Sequence, residues 1–89
     1  MATLRIAASF ADDMEQVYSE RIEERTYAAL EGLREFPELG AVDSRAYIRA
    51  RFGGKVRKLV IGPFDLFYRY DSERDEVRVV AWMNQRAIM

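Results

Sequence analysis

Arginine and lysine carry most of the chemistry open to this chain, because its 89 residues hold no histidine and no cysteine. Imidazole is the commonest general base and metal ligand near neutral pH, and without thiols there are neither disulfides nor thiolate metal sites. The sequence therefore points to no metal and no cofactor. What remains is guanidinium and ammonium, groups that bind anions, orient hydroxyls and stabilise charge developing on a phosphate. Six of them, Arg45, Arg49, Arg51, Lys55, Arg57 and Lys58, follow one another with no carboxylate between them. Upstream, from Ser9 to Gly40, nine carboxylates (Asp12, Asp13, Glu15, Glu20, Glu23, Glu24, Glu31, Glu35, Glu38) stand against three arginines. The chain is electrically two-sided although its net charge is only −1. Either the two halves are solvated faces that attract each other, or the basic run is an anion-binding surface in which Arg49, Arg51, Lys55 and Lys58 receive RNA or a partner protein. An overall acidic chain lacks the basic balance that counterion release rewards in nucleic-acid binders. That balance favours action on a protein, or a narrow basic patch.

A sheet must position these cations. Val56 to Tyr70 reads as two strands reversing at Gly62-Pro63, since proline fixes φ and donates nothing to a ladder while glycine tolerates unusual dihedrals. The β-branched run Val56, Val60, Ile61 and the aromatic run Phe67, Tyr68, Tyr70 suit central strands. A third segment, Val77 to Met83, follows a polar connection, and the minimum core is a three-stranded antiparallel meander. Alternation places Arg57 and Lys58 on opposite faces of the sheet. Tyr68, Tyr70 and Trp82 read as core residues rather than stacking platforms.

Before the sheet, Leu4 to Ala7 alternates as a short edge strand. Ser9 is a plausible N-cap, with Asp12 and Asp13 in the first turn of a helix starting near Phe10. Phe10, Met14, Val17 and Tyr18 keep helical spacing, and a second set, Ile22 to Phe36, resumes after a polar interval. The break near Ser19 predicts a helical hairpin rather than one long helix. Pro37 and Gly40 end the helical region. From Ala41 to Phe52 the pattern fits either a short helix capped at Asp43-Ser44 and ending at Gly53, or an edge strand, and the extended reading is preferred. The expected fold is one α+β domain over residues 1–89, two layers deep, with helices on one face of the sheet and arginines on the other. No segment reads as a signal peptide or a membrane span, which makes the cytoplasm the default location and a membrane partner unexpected.

The blocks Phe36-Pro37-Glu38-Leu39-Gly40, Val56 to Phe64, Leu66-Phe67-Tyr68-Arg69-Tyr70 and Val77 to Arg86, in that order and spacing, resemble the RelE/ParE superfamily of bacterial toxins, also called plasmid stabilisation proteins. The resemblance runs through most of the chain. It implies a helical hairpin packed on a twisted antiparallel sheet, and the toxin component of a type II toxin–antitoxin system, a growth inhibitor neutralised by a cognate antitoxin. RelE-like members cleave mRNA on the ribosome and ParE-like members poison DNA gyrase, so the partners implied are the antitoxin and either ribosome-bound mRNA or gyrase, with homo-oligomers also open. If the chain is an mRNA endoribonuclease, Arg57 matches the family's basic residue on the strand entering the hairpin, and Arg86 the one ending the last strand.

Two departures weigh against cleavage. Asp65 stands where RNA-cleaving members often carry an arginine, and the C-terminal extension that supplies a further catalytic side chain in several of them has no counterpart. Plainer roles are also open: Arg57 as a strand residue paired with an acidic helix side chain, Arg86 as a solubilising end charge, and the whole chain as a binding module of the same fold without toxicity.

Overall fold

Residue alternation along the last three strands sets the architecture, and the other elements cover the two faces it creates. The computed structural model describes residues 1–15 and 19–85. Strand β3 (Arg57–Ile61), strand β4 (Phe64–Asp71) and strand β5 (Glu76–Asn84) form the expected antiparallel meander. Gly62, at φ 58°, starts the reversal into β4 in a conformation that disfavours a side chain, and a Cβ there would also lie 2.7 Å from Ile22 Cδ1. Strand β1 (Thr3–Ile6) adds to the far edge parallel to β5, and strand β2 (Ala41–Val42) pairs antiparallel with Arg57 and Lys58, giving the order β1-β5-β4-β3-β2.

One face of the sheet packs under the two N-terminal helices, α1 (Ala8–Glu15) and α2 (Glu20–Glu35). Phe10, Leu30 and Leu33 descend from them onto Ile61, Leu66, Tyr68, Val77, Val79 and Trp82. Trp82 lies stacked on Phe64 at 4.7 Å and edge-on to Phe10 at 5.9 Å. Each such large apolar side chain stabilises the fold by roughly 1.5–3 kcal/mol when fully buried. The helix break falls where the polar interval placed it: Ser19 is extended, at φ −108° and ψ 113°, and its hydroxyl accepts the amide of Ile22 as the N-cap of α2. Val17 and Tyr18, assigned above to the first apolar set, lie outside the described residues.

Three expectations are corrected. Ser9 is not an N-cap, because the helix already runs from Ala8 and the amide of Phe10 bonds the carbonyl of Ala7. Only Ala41–Val42 of the segment 41–52 is extended; Ala46–Phe52 is a helix, α3, ended by Gly53, whose amide bonds the carbonyl of Arg49. The i,i+4 pair Ile48 and Phe52 faces the sheet together, and burial of that stripe outweighs the β-propensity of the individual residues. As a result, the second face of the sheet is not a plain field of arginines. Ile48 is fully buried there with Val56, Phe67 and Ala81, while Phe52 stacks on Phe67 at 5.3 Å.

A bulge serves both cores. Phe67 pairs with Ala81 but Tyr68 pairs with Val79, so Val80 is the extra residue on β5. Without it, Val79 and Ala81 would point to the same side. With it, Val79 joins the α1–α2 core and Ala81 the α3 core.

Candidate functional site

Position by position, the basic residues divide between structural work and an open surface. Arg57 lies on the same side as Leu59 and Ile61, beneath the helices, not on the face left for a partner. Its Nη1 donates to the carbonyls of Gly40 at 2.7 Å and Glu38 at 3.3 Å. The neighbouring Tyr68 hydroxyl, fully buried, accepts the amide of Gly40 at 2.8 Å, and burial pushes its phenol pKa up. Arg57 and Tyr68, opposite each other across β3 and β4, thus fasten the loop that leaves α2. Arg57 pairs with backbone carbonyls, not with a helix carboxylate.

Lys58 faces the other way, on the rung of Phe67. Nearby, Asp43 is held by a fork from Arg45, at 2.6 to 3.1 Å. The Arg45 guanidinium holds the Asp43 carboxyl below its usual range, against the opposing effect of burial, and Lys58 adds to the lowering. Arg49 and Arg51 occupy the last turn of α3, where cations suit the carbonyl end of a helix, and Arg51 lies 5.3 Å over the ring of Phe52. Lys55, at φ 65°, sits in the left-handed region that costs a non-glycine residue roughly 1–2 kcal/mol. Arg86 lies outside the described residues. Asp65, 3% exposed on this same face, accepts from the Gln85 side chain at 3.1 Å.

Sequence reasoning passed over a row of three arginines on the open face. Arg5, Arg78 and Arg69 stand side by side on β1, β5 and β4, Arg78 being the register partner of both others. Like charges directly opposite one another destabilise a sheet, and Glu76 offsets two of them. Its carboxylate, only 7% exposed as a residue, accepts from Arg5 Nε at 2.8 Å and Arg78 Nη2 at 3.1 Å. The Arg5 bond, then that of Arg78, hold its pKa below the usual range. Arg69 has no ion pair among the described residues, and its Nε is buried without a hydrogen-bond partner. The loop at Gly53 and Gly54 crosses over it: Gly53 has φ 85°, and a Cβ there would lie 2.6 Å from Arg69 Nη2. Between this loop and the β4–β5 turn is a cleft of about 580 Å³, with Lys55, Arg69 and Arg78 in its wall. The signal was present in the sequence: with Tyr68 and Tyr70 facing the core, Arg69 has to face outward.

The geometry can be set beside known proteins. The family model described as the ParE toxin of the type II toxin–antitoxin system parDE matches residues 4–88. The chain belongs to that family. No curated protein sequence matches it. Among solved structures it is similar to the intact RelBE toxin–antitoxin complex of Escherichia coli, with a TM-score of 0.72 at 12% identity over 94% of this chain and 96% of the other. It is also similar to the RelBE2 toxin–antitoxin complex of Mycobacterium tuberculosis, with a TM-score of 0.62 at 19% identity over 93% and 96%. At such identities the likeness carries the fold, and the RelE/ParE architecture expected from the sequence is the one observed. The described residues leave cations, Arg5, Arg78, Arg69 and Lys58 among them, on the α3 side of the sheet. The arginine expected to act on RNA from the strand entering the hairpin is engaged beneath the helices.

Proposed function

We propose that this ParE-family toxin arrests growth by gripping a protein target, of which DNA gyrase is the type for ParE-like members, and not by cutting mRNA. The observation that carries the reading is the engagement of Arg57. With its Nη1 donating to the Gly40 and Glu38 carbonyls, the Arg57 guanidinium is held against the loop leaving α2, away from the open face where a phosphate in transit would need it. Asp65, buried on the opposite face where RNA-cleaving relatives often have an arginine, supports the same reading, since a carboxylate there repels a phosphate. We further propose that a cognate antitoxin holds the chain inactive, as the two similar structures are themselves toxin–antitoxin complexes.

The test uses the purified chain with DNA gyrase and relaxed plasmid. Dose-dependent loss of supercoiling, or accumulation of broken DNA, reversed by the co-expressed antitoxin, is the expected outcome. Unimpaired supercoiling at a large molar excess of the chain removes gyrase as the target.

A further inference from the structure

We propose that the cleft between the Gly53-Gly54 loop and the β4–β5 turn is a carboxylate-binding site, in which Arg69 receives a single Asp or Glu side chain of an acidic partner polypeptide. The inference rests on the reading that this toxin works by holding other proteins. It starts from an imbalance of partners. Two carboxylates near the row of arginines are already engaged: Glu76 holds Arg5 and Arg78, and Asp71 accepts the amides of Glu73 and Arg74 and lies 3.8 Å from Arg74 Nε, while Glu73 stands on the same cleft without an ion pair among the described residues. Arg69 alone in that row has no counter-charge among the described residues. Its Nε is shut off from water, so the guanidinium is partly desolvated while unpaired, the condition in which an arriving anion gains most.

The surroundings are built to hold it there. The side chain lies beneath Gly53, at a separation that leaves no room for a Cβ, and next to Gly54, whose Cβ position is open space. Lys55 keeps its left-handed backbone on the wall of the same cleft, and strain of that kind gathers at binding sites. A planar guanidinium fixed in place matches a carboxylate in two parallel hydrogen bonds.

Charge at the rim selects the occupant. Asp71, Glu73 and Glu76 also line the cleft, so a nucleic-acid backbone laid across it would set phosphates against carboxylates. One acidic side chain, with the rest of its segment apolar or neutral, reaches Arg69 between them.

The experiment is an NMR titration of the ¹⁵N-labelled chain, following the Arg69 Nε–Hε resonance and the Gly54 and Lys55 amides. The probes are a blocked hexapeptide carrying a single Glu among Gly and Ala, and an oligouridylate of six nucleotides. Saturable shifts of these three signals with the peptide, smaller with the oligonucleotide, are expected, and affinity read from the two amides should weaken about tenfold or more in Arg69→Gln. Arg21→Gln, an exposed charge on α2 over the other face of the sheet, serves as a second variant and should retain the peptide shift at Arg69. No shift with the peptide, an undiminished shift of the amides in a folded Arg69→Gln protein, or stronger shifts with the oligonucleotide would overturn the proposal. Because the titration reads the cleft without any target present, its failure is distinct from a failure of the gyrase assay.

Discussion

At the scale of single residues, some arginines are engaged inside the fold and others are left facing solvent. Arg57 is spent: truncating it leaves two loop carbonyls without a donor and the Tyr68 rung without its neighbour. Arg57→Ala should lose about 1–3 kcal/mol of unfolding free energy. The check is urea denaturation followed through Trp82, the sole tryptophan and 5% exposed. If Arg57→Ala is as stable as the parent and toxicity disappears, the structural assignment of this side chain is wrong. Alternation in the sequence did place Arg57 and Lys58 on opposite faces, but it could not say which face was open. That depends on where the helices dock, and on the loop at Gly40 meeting β3 and β4 at a distance set only by the tertiary fold. Arg69 was legible by the same alternation, read one step further from Tyr68 and Tyr70.

At the scale of elements, caps and glycines decide more than propensity. The break at Ser19 was legible because the apolar spacing lapses there and a serine stands ready to accept the Ile22 amide. Ser19→Ala should cost about 1 kcal/mol, read as a lowered thermal midpoint with unchanged helix content at low temperature. Helix α3 was misread because Tyr47, Ile48 and Phe52 favour strands one at a time, while Ile48 and Phe52 act here as an i,i+4 stripe meeting Phe67 and Tyr47 stays exposed. Its stop signal, Gly53, was nonetheless in plain view. Gly53→Ala combines a φ of 85° with a 2.6 Å approach to Arg69, so it should destabilise by more than the roughly 1 kcal/mol usual for placing alanine at positive φ. Its spectral changes should centre on the Arg69 Nε–Hε resonance. A Gly53→Ala protein of parental stability would mean that the loop does not lie where described.

At the scale of the whole molecule, two buried acidic contacts set the acid limit of stability. Asp43 and Glu76 both titrate below the ordinary carboxylate range in the folded chain, held by arginine hydrogen bonds. Depressed carboxylate pKa values give stability that is present above the unfolded value, near 4, and lost as pH falls through the folded one. The thermal midpoint should therefore be level from neutrality to about pH 5 and fall below about pH 4. Asp43→Asn should flatten part of that fall. On the alkaline side, Tyr68, raised by burial, contributes stability that is lost as pH climbs beyond about 10.

The fold itself was readable at this scale, since an acidic helical half and a hairpin-forming basic half already describe two layers. A third element on the open face was not, because α3 is too short for its period to stand out. With α3 packed on that face, Arg57 engaged by the loop leaving α2 and Asp65 buried in the sheet, a protein is the proposed target. The most direct test is to induce this chain alone in growing bacteria and map mRNA 5′ ends within translated frames as growth stops. Arrest with the same 5′ ends as in uninduced cells is expected of a toxin that grips a protein, and new ends inside reading frames, appearing with the arrest, would contradict that target.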